Sequence, residues 1–78
     1  LMNNIILLTN LPIMKKGKIE SMECTGSVRR RLLDLGLVNN SYITPILNSP
    51  SKGLRAFDIR GTLIAIRDED TSLISVIF

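Results

Sequence analysis

The chain has 78 residues, 45% of them hydrophobic, with ten Lys and Arg against seven Asp and Glu for a net charge of +3. That composition bounds it to one domain with a modest core and argues against disorder. One cysteine and no histidine exclude an intrachain disulfide, a Ser-His or Cys-His catalytic pair and the commonest zinc ligand.

The opening LMNNIILLTNLP carries the apolar run from Ile5 to Leu8. It is far too short to span a bilayer. It lacks the positive start, longer apolar stretch and cleavage site of a secretory signal. No membrane insertion is expected, and the lone cysteine fits a reducing, cytoplasmic compartment. Residues 1 to 14 read as an apolar lead-in broken at Pro12. In KKGKIESMEC, Lys18, Glu20 and Met22 alternate with Ile19, Ser21 and Glu23, a strand pattern. Gly17 would allow a turn just before it.

TGSVRRRLLDLGL reads as a helix, because Val28, Leu32 and Leu35 recur at helical spacing and share one face. Thr25 or Ser27 suits the N-cap. Gly36 suits the left-handed position past the end, after which Leu37 packs back on Leu32. SYITPIL is a strand candidate. Pro45 supplies no backbone donor, so this strand must lie at an edge or carry a bulge. NSPSKG, residues 48–53, is a loop by composition.

RAFDIRGTLIAIR is the strongest hairpin pattern. A two-residue Arg60-Gly61 turn sets Ile59 opposite Thr62, Phe57 opposite Ile64 and Arg55 opposite Ile66. Phe57, Ile59, Ile64 and Ile66 then share a face. On the other face Leu63 and Ala65 are apolar, which predicts cover from another element, the helix being the candidate. DEDTS reads as a short helical turn whose acidic residues favour a helix start. LISVIF closes the chain as a strand with Ile74, Val76 and Phe78 on one side. About five short strands and one helix suggest a small barrel, mainly β.

The residues offer little chemistry. Successive helical residues point about 100° apart, so Arg29, Arg30 and Arg31 cannot all reach one phosphate row. They read first as a solvated helix face and second as a patch for nucleic acid or an acidic partner, to which Lys15, Lys16 and Lys18 add. Asp68, Glu69 and Asp70 are hard oxygen donors, yet they lack EF-hand spacing and fit a helix start better than a Mg²⁺ or Ca²⁺ site. Cys24 reads as a small buried hydrophobe. Tyr42, Phe57 and Phe78 are the only aromatics, too few for a base-stacking platform. No catalytic residue, metal site or cofactor is expected.

The order of RRRLLDLGL, DIRGTLIAIR and LISV, with the opening LTNLPIMKKGKIESM, resembles the FeoA family across roughly residues 7 to 77. Two positions depart from its pattern: Asn39-Asn40 replaces the usual Pro-Gly after the helix, and Met14 stands where Gly is common. Asn tolerates the left-handed conformation, so the post-helix turn survives. The resemblance implies one FeoA-like domain over residues 1–78. The implied fold is a small SH3-like barrel of about five strands, with a helix after the first and a short helical turn before the last. It also implies a cytoplasmic accessory role in ferrous iron uptake, through contact with the cytoplasmic part of the FeoB membrane transporter. Lys15, Lys16, Arg29 and Arg30 are the expected contact residues. The rival reading is a small basic barrel that binds nucleic acid; a third is Fe²⁺ sensing by the acidic cluster.

Overall fold

In a computed structural model, residues 4–49 and 53–78 are described; part of the loop expected at 48–53, and the first three residues of the lead-in, lie outside them. The elements in chain order are β1 (Ile5–Leu7), a 3-10 turn (Leu8–Asn10), β2 (Gly17–Met22), α1 (Gly26–Asp34), β3 (Tyr42–Asn48), β4 (Leu54–Ile59), β5 (Thr62–Arg67), α2 (Asp68–Thr71) and β6 (Ile74–Ile77). The strands form one antiparallel sheet in the order β1-β6-β2-β3-β4-β5. The described residues thus hold six strands rather than about five. The extra one is β1, whose three residues pair with β6 at the far end of the chain. The sheet does not close, and β1 and β5 are its edges.

The turn ahead of β2 is not made by Gly17. It runs from Pro12 to Lys15, whose N–H donates to the Pro12 carbonyl at 3.1 Å, and Met14 takes φ 69°. That is the third position of a type II turn, which favours glycine. The Met14 N–H donates to the Pro45 carbonyl at 2.7 Å, tying the turn to β3. Gly17 is instead the first residue of β2, and a Cβ there would lie 3.0 Å from Leu11 Cδ2 and 3.2 Å from Val76 Cβ. Close approach, not a turn, requires glycine at this position.

Helix α1 ends as its sequence implies. Leu37 N–H donates to the Leu32 carbonyl and Gly36 N–H to the Leu33 carbonyl, both at 2.9 Å, with Gly36 at φ 93°. This is a Schellman cap, and Leu32 and Leu37 are both fully buried. At the other end Thr25 is the N-cap residue, but its side chain makes no cap bond. Asn40 takes φ 74° and its N–H reaches the Ile19 carbonyl at 2.9 Å, the left-handed geometry that Asn accommodates.

β3 lies inside the sheet, between β2 and β4. Of the two outcomes open to Pro45, the bulge is realised: Pro45 pairs with Phe57 and Leu47 with Ala56, so the register shifts between them. The hairpin has the expected register throughout, with Ile59 opposite Thr62, Phe57 opposite Ile64 and Arg55 opposite Ile66. Arg60 and Gly61 take φ 54° and 84°, as a type I′ turn requires. The Asp58 carboxylate accepts from the Gly61 N–H at 2.9 Å.

The core gathers Leu8, Leu11, Ile19, Leu32, Leu37, Ile43, Phe57, Ile59, Ile66, Ile74 and Val76, with Val28 and Ile64 packed against it. Two expectations fail. Leu63, 61% exposed, and Ala65 are not covered. Phe78 lies beyond β6 and is 44% exposed, although Asn4 and Phe78 exchange two backbone hydrogen bonds.

Candidate functional site

Arg55, an inward residue of β4, is the buried cation among the described residues, at 7% exposed. Its Nε donates to Asn48 Oδ1 at 2.6 Å. Nη1 donates to the Leu8 and Thr9 carbonyls at 3.1 and 3.0 Å, and Nη2 to the Leu11 carbonyl at 2.7 Å. Burial lowers its pKa below the ordinary guanidinium value, and the charge of Asp68 pulls the other way. The planar guanidinium fork fits several carbonyls at once, so Arg55 binds the 3-10 turn to β4. Nothing in the sequence marked it. Its role is to hold the fold.

The expected contact residues fall on two surfaces. Lys15 closes the Pro12–Lys15 turn, and both lysines are exposed. Lys16 Nζ lies 5.2 Å from the centre of the Tyr42 ring, a cation–π distance. Lys16 and Tyr42 border a shallow depression with Thr44, Asp58, Arg60 and Gly61. On α1, Arg29 and Arg30 border another depression with Gly26, Leu33 and Asp34. Arg29 Nη1 also donates to the Met22 carbonyl at 3.0 Å, which holds the start of the helix against the end of β2. Arg31 points elsewhere, into a groove beside β5 that it shares with Val28, Ala65 and Arg67. The three arginines diverge, as helix geometry demands.

The acidic cluster is divided as well. Asp68 faces Arg55, Asn48 and Thr9, whereas Glu69 and Asp70 face α1. Among the described residues no three His, Cys, Asp or Glu side chains gather at one point where a metal ion could be held. Cys24 is buried, and that burial raises its pKa above the ordinary 9.0. Its own backbone hydrogen bond and Arg29 oppose the rise, and Asp70 adds to it. A thiol held neutral in this way is a poor nucleophile. No helix of the described residues is long and apolar enough to cross a membrane.

Among the described residues the surface offers basic and apolar contact points. The sequence profile of the FeoA domain matches residues 6–77. The chain belongs to the FeoA domain family. Solved FeoA structures share its fold. The FeoA protein of Chlorobium tepidum is 27% identical with a TM-score of 0.85, over 91% of this chain and 68% of that one. The FeoA-like protein of Clostridium acetobutylicum is 25% identical with a TM-score of 0.79, over 99% and 88%. Stenotrophomonas maltophilia FeoA, solved with zinc, is 21% identical with a TM-score of 0.74, over 97% and 89%. That protein is described as a prokaryotic SH3-domain protein and a candidate activating factor for bacterial ferrous iron transport. No protein of curated function matches the sequence. The family is linked to ferrous iron transport, and the fold of this FeoA domain is accordingly mainly β and SH3-like.

Proposed function

We propose that this FeoA-domain protein is a cytoplasmic accessory of ferrous iron uptake that acts by docking on the cytoplasmic part of the FeoB transporter. The observation that carries the reading is the FeoA match over residues 6–77. The surface is in keeping with it, since the exposed chemistry is that of contact: Lys15 and Lys16 at one turn, Arg29 and Arg30 on the helix. These four side chains supply positive charge to an acidic partner surface at two separate points. Exposed charges of this kind chiefly govern encounter rate and salt dependence. On this reading its effect on the transporter's nucleotide hydrolysis or assembly follows from being bound.

Calorimetric titration of the chain into the cytoplasmic part of FeoB tests this. Binding should weaken when Lys15 and Lys16, or Arg29 and Arg30, are changed to Glu, and the salt dependence should become shallower. No heat and no pull-down at high protein concentration would defeat the proposal. Nucleic acid is the less favoured partner, because Phe57 is buried and the Tyr42 ring already carries Lys16. A salt-sensitive affinity for duplex or single-stranded oligonucleotides would reverse that preference.

A further inference from the structure

The hairpin register fixes which way the backbone of β5 points. In a two-residue hairpin the pair flanking the turn exchanges both hydrogen bonds, and bonded and non-bonded pairs then alternate. Ile59–Thr62, Phe57–Ile64 and Arg55–Ile66 are the bonded pairs by that rule, in the observed register. Leu63, Ala65 and Arg67 therefore aim their N–H and C=O groups away from β4. β5 is an edge of the sheet, and within the described residues no backbone hydrogen bond from another strand reaches these three. The Arg67 carbonyl, at the N-cap of α2, takes the first bond of that helix, which leaves the Arg67 N–H and both groups of Leu63 and Ala65 open. Unpaired edge groups of this kind are a template for another strand.

The space beside that edge is shaped. α1 starts near Glu69 and Asp70 and ends by Arg60, whose Cδ lies 3.3 Å from where a Gly36 Cβ would stand. The helix thus runs alongside β5, and the two frame an open groove of about 680 Å³ bordered by Val28, Arg31, Ala65, Arg67, Glu69 and Asp70. The small Ala65 leaves room at the centre, and Val28 supplies an apolar wall. Arg31 and Arg67 make the middle of the groove basic, while Glu69 and Asp70 make one end acidic. A second copy of β5 is a poor occupant, since Thr62–Arg67 carries no carboxylate to set against Arg31 and Arg67.

We infer that the edge of β5, walled by α1, receives an extended segment of the protein partner as an added antiparallel strand. The segment is about five residues long, the length of an ordinary strand. It enters past Glu69 and Asp70 with a basic or amide residue, places a carboxylate against Arg31 and Arg67, and sets apolar residues opposite Ala65 and Leu63. Main-chain hydrogen bonds at Leu63, Ala65 and Arg67 supply the affinity, and the charge order supplies the register. This inference deepens the docking proposed above and rests on it.

Amide hydrogen exchange on the full ¹⁵N-labelled chain, with and without the cytoplasmic part of FeoB, tests it. Binding should slow exchange at Leu63, Ala65 and Arg67. Ala65→Pro removes an outward N–H that no internal bond uses, and should weaken binding about tenfold, the effect of one well-made hydrogen bond. Arg67→Glu should weaken it likewise. Binding that protects only the Lys15–Lys16 turn or the Arg29–Arg30 face, leaving the three β5 amides unchanged, overturns the strand and spares the docking. Absence of any binding overturns both. Protection that grows with protein concentration in the absence of FeoB assigns the edge to a second copy and also overturns the inference. If the proline variant fails to fold, the exchange pattern of the natural chain and the Arg67 variant still decide.

Discussion

Replacing Arg55 by methionine keeps much of the side-chain volume and removes the guanidinium that binds three main-chain carbonyls and Asn48. The Leu8 carbonyl keeps one donor, the Leu11 N–H at 3.1 Å. The Thr9 and Leu11 carbonyls lose their donor, and an unsatisfied buried polar group costs about 1–3 kcal/mol. Some of that cost is offset, because a cation no longer has to be desolvated. A net loss of about 2–4 kcal/mol follows, against a total stability of about 4–12 kcal/mol for a chain of this length at ordinary values per residue. Urea unfolding followed by circular dichroism measures it as a lower midpoint with an unchanged slope. Arg55→Lys retains the charge but not the fork, and should fall between the two. Asn48→Ala, which removes only the Nε bond, should cost about 1 kcal/mol. A loss below about 0.5 kcal/mol for Arg55→Met, within the range of an ordinary surface change, would refute the view that this side chain fastens the 3-10 turn to the sheet.

Two further predictions concern the backbone and the thiol. Met14 is 66% exposed and sits at φ 69°. Met14→Gly should therefore raise stability by about 1 kcal/mol, less the entropy glycine gains when unfolded, visible as a higher melting temperature. Cys24 should react with a disulfide reagent far more slowly in the native chain than in urea. Its folded pKa lies above the ordinary 9.0, so the stability of the neutral buried thiol is fully present below that value. It is lost as pH rises through 9.0 toward the folded pKa. Replacing Cys24 with Ala should flatten the alkaline limb of the stability–pH curve.

Local features were the ones the sequence disclosed. Arg60-Gly61 set the hairpin register because both turn positions need positive φ, and Gly36 with Leu37 set the helix end for a similar reason. What escaped depended on partners distant in the chain. Ile5–Leu7 is too short and too uniformly apolar to declare itself a strand, and its partner lies about seventy residues away. Pro45 announced an irregularity, but only the pairing on both sides of β3 made it an interior bulge. Arg55 looked like one more charge at the head of a hairpin. Its acceptors are main-chain oxygens, which have no residue-type signature. The basic residues of the candidate site were readable as charges, whereas their separation onto two surfaces was not. Leu63 and Ala65 were misplaced because an apolar outward face was assumed to be covered by the fold itself.

Strand β6, Ile74–Ile77, sits in the interior of the sheet between β1 and β2, although it follows every other described strand in the sequence. Until it arrives, the first strand has nothing to zip onto and the second has one flank bare. A nascent chain of this protein therefore cannot mature piecemeal from its amino end. Deleting Ile74–Ile77 would pull out a keystone between β1 and β2 rather than trim an edge.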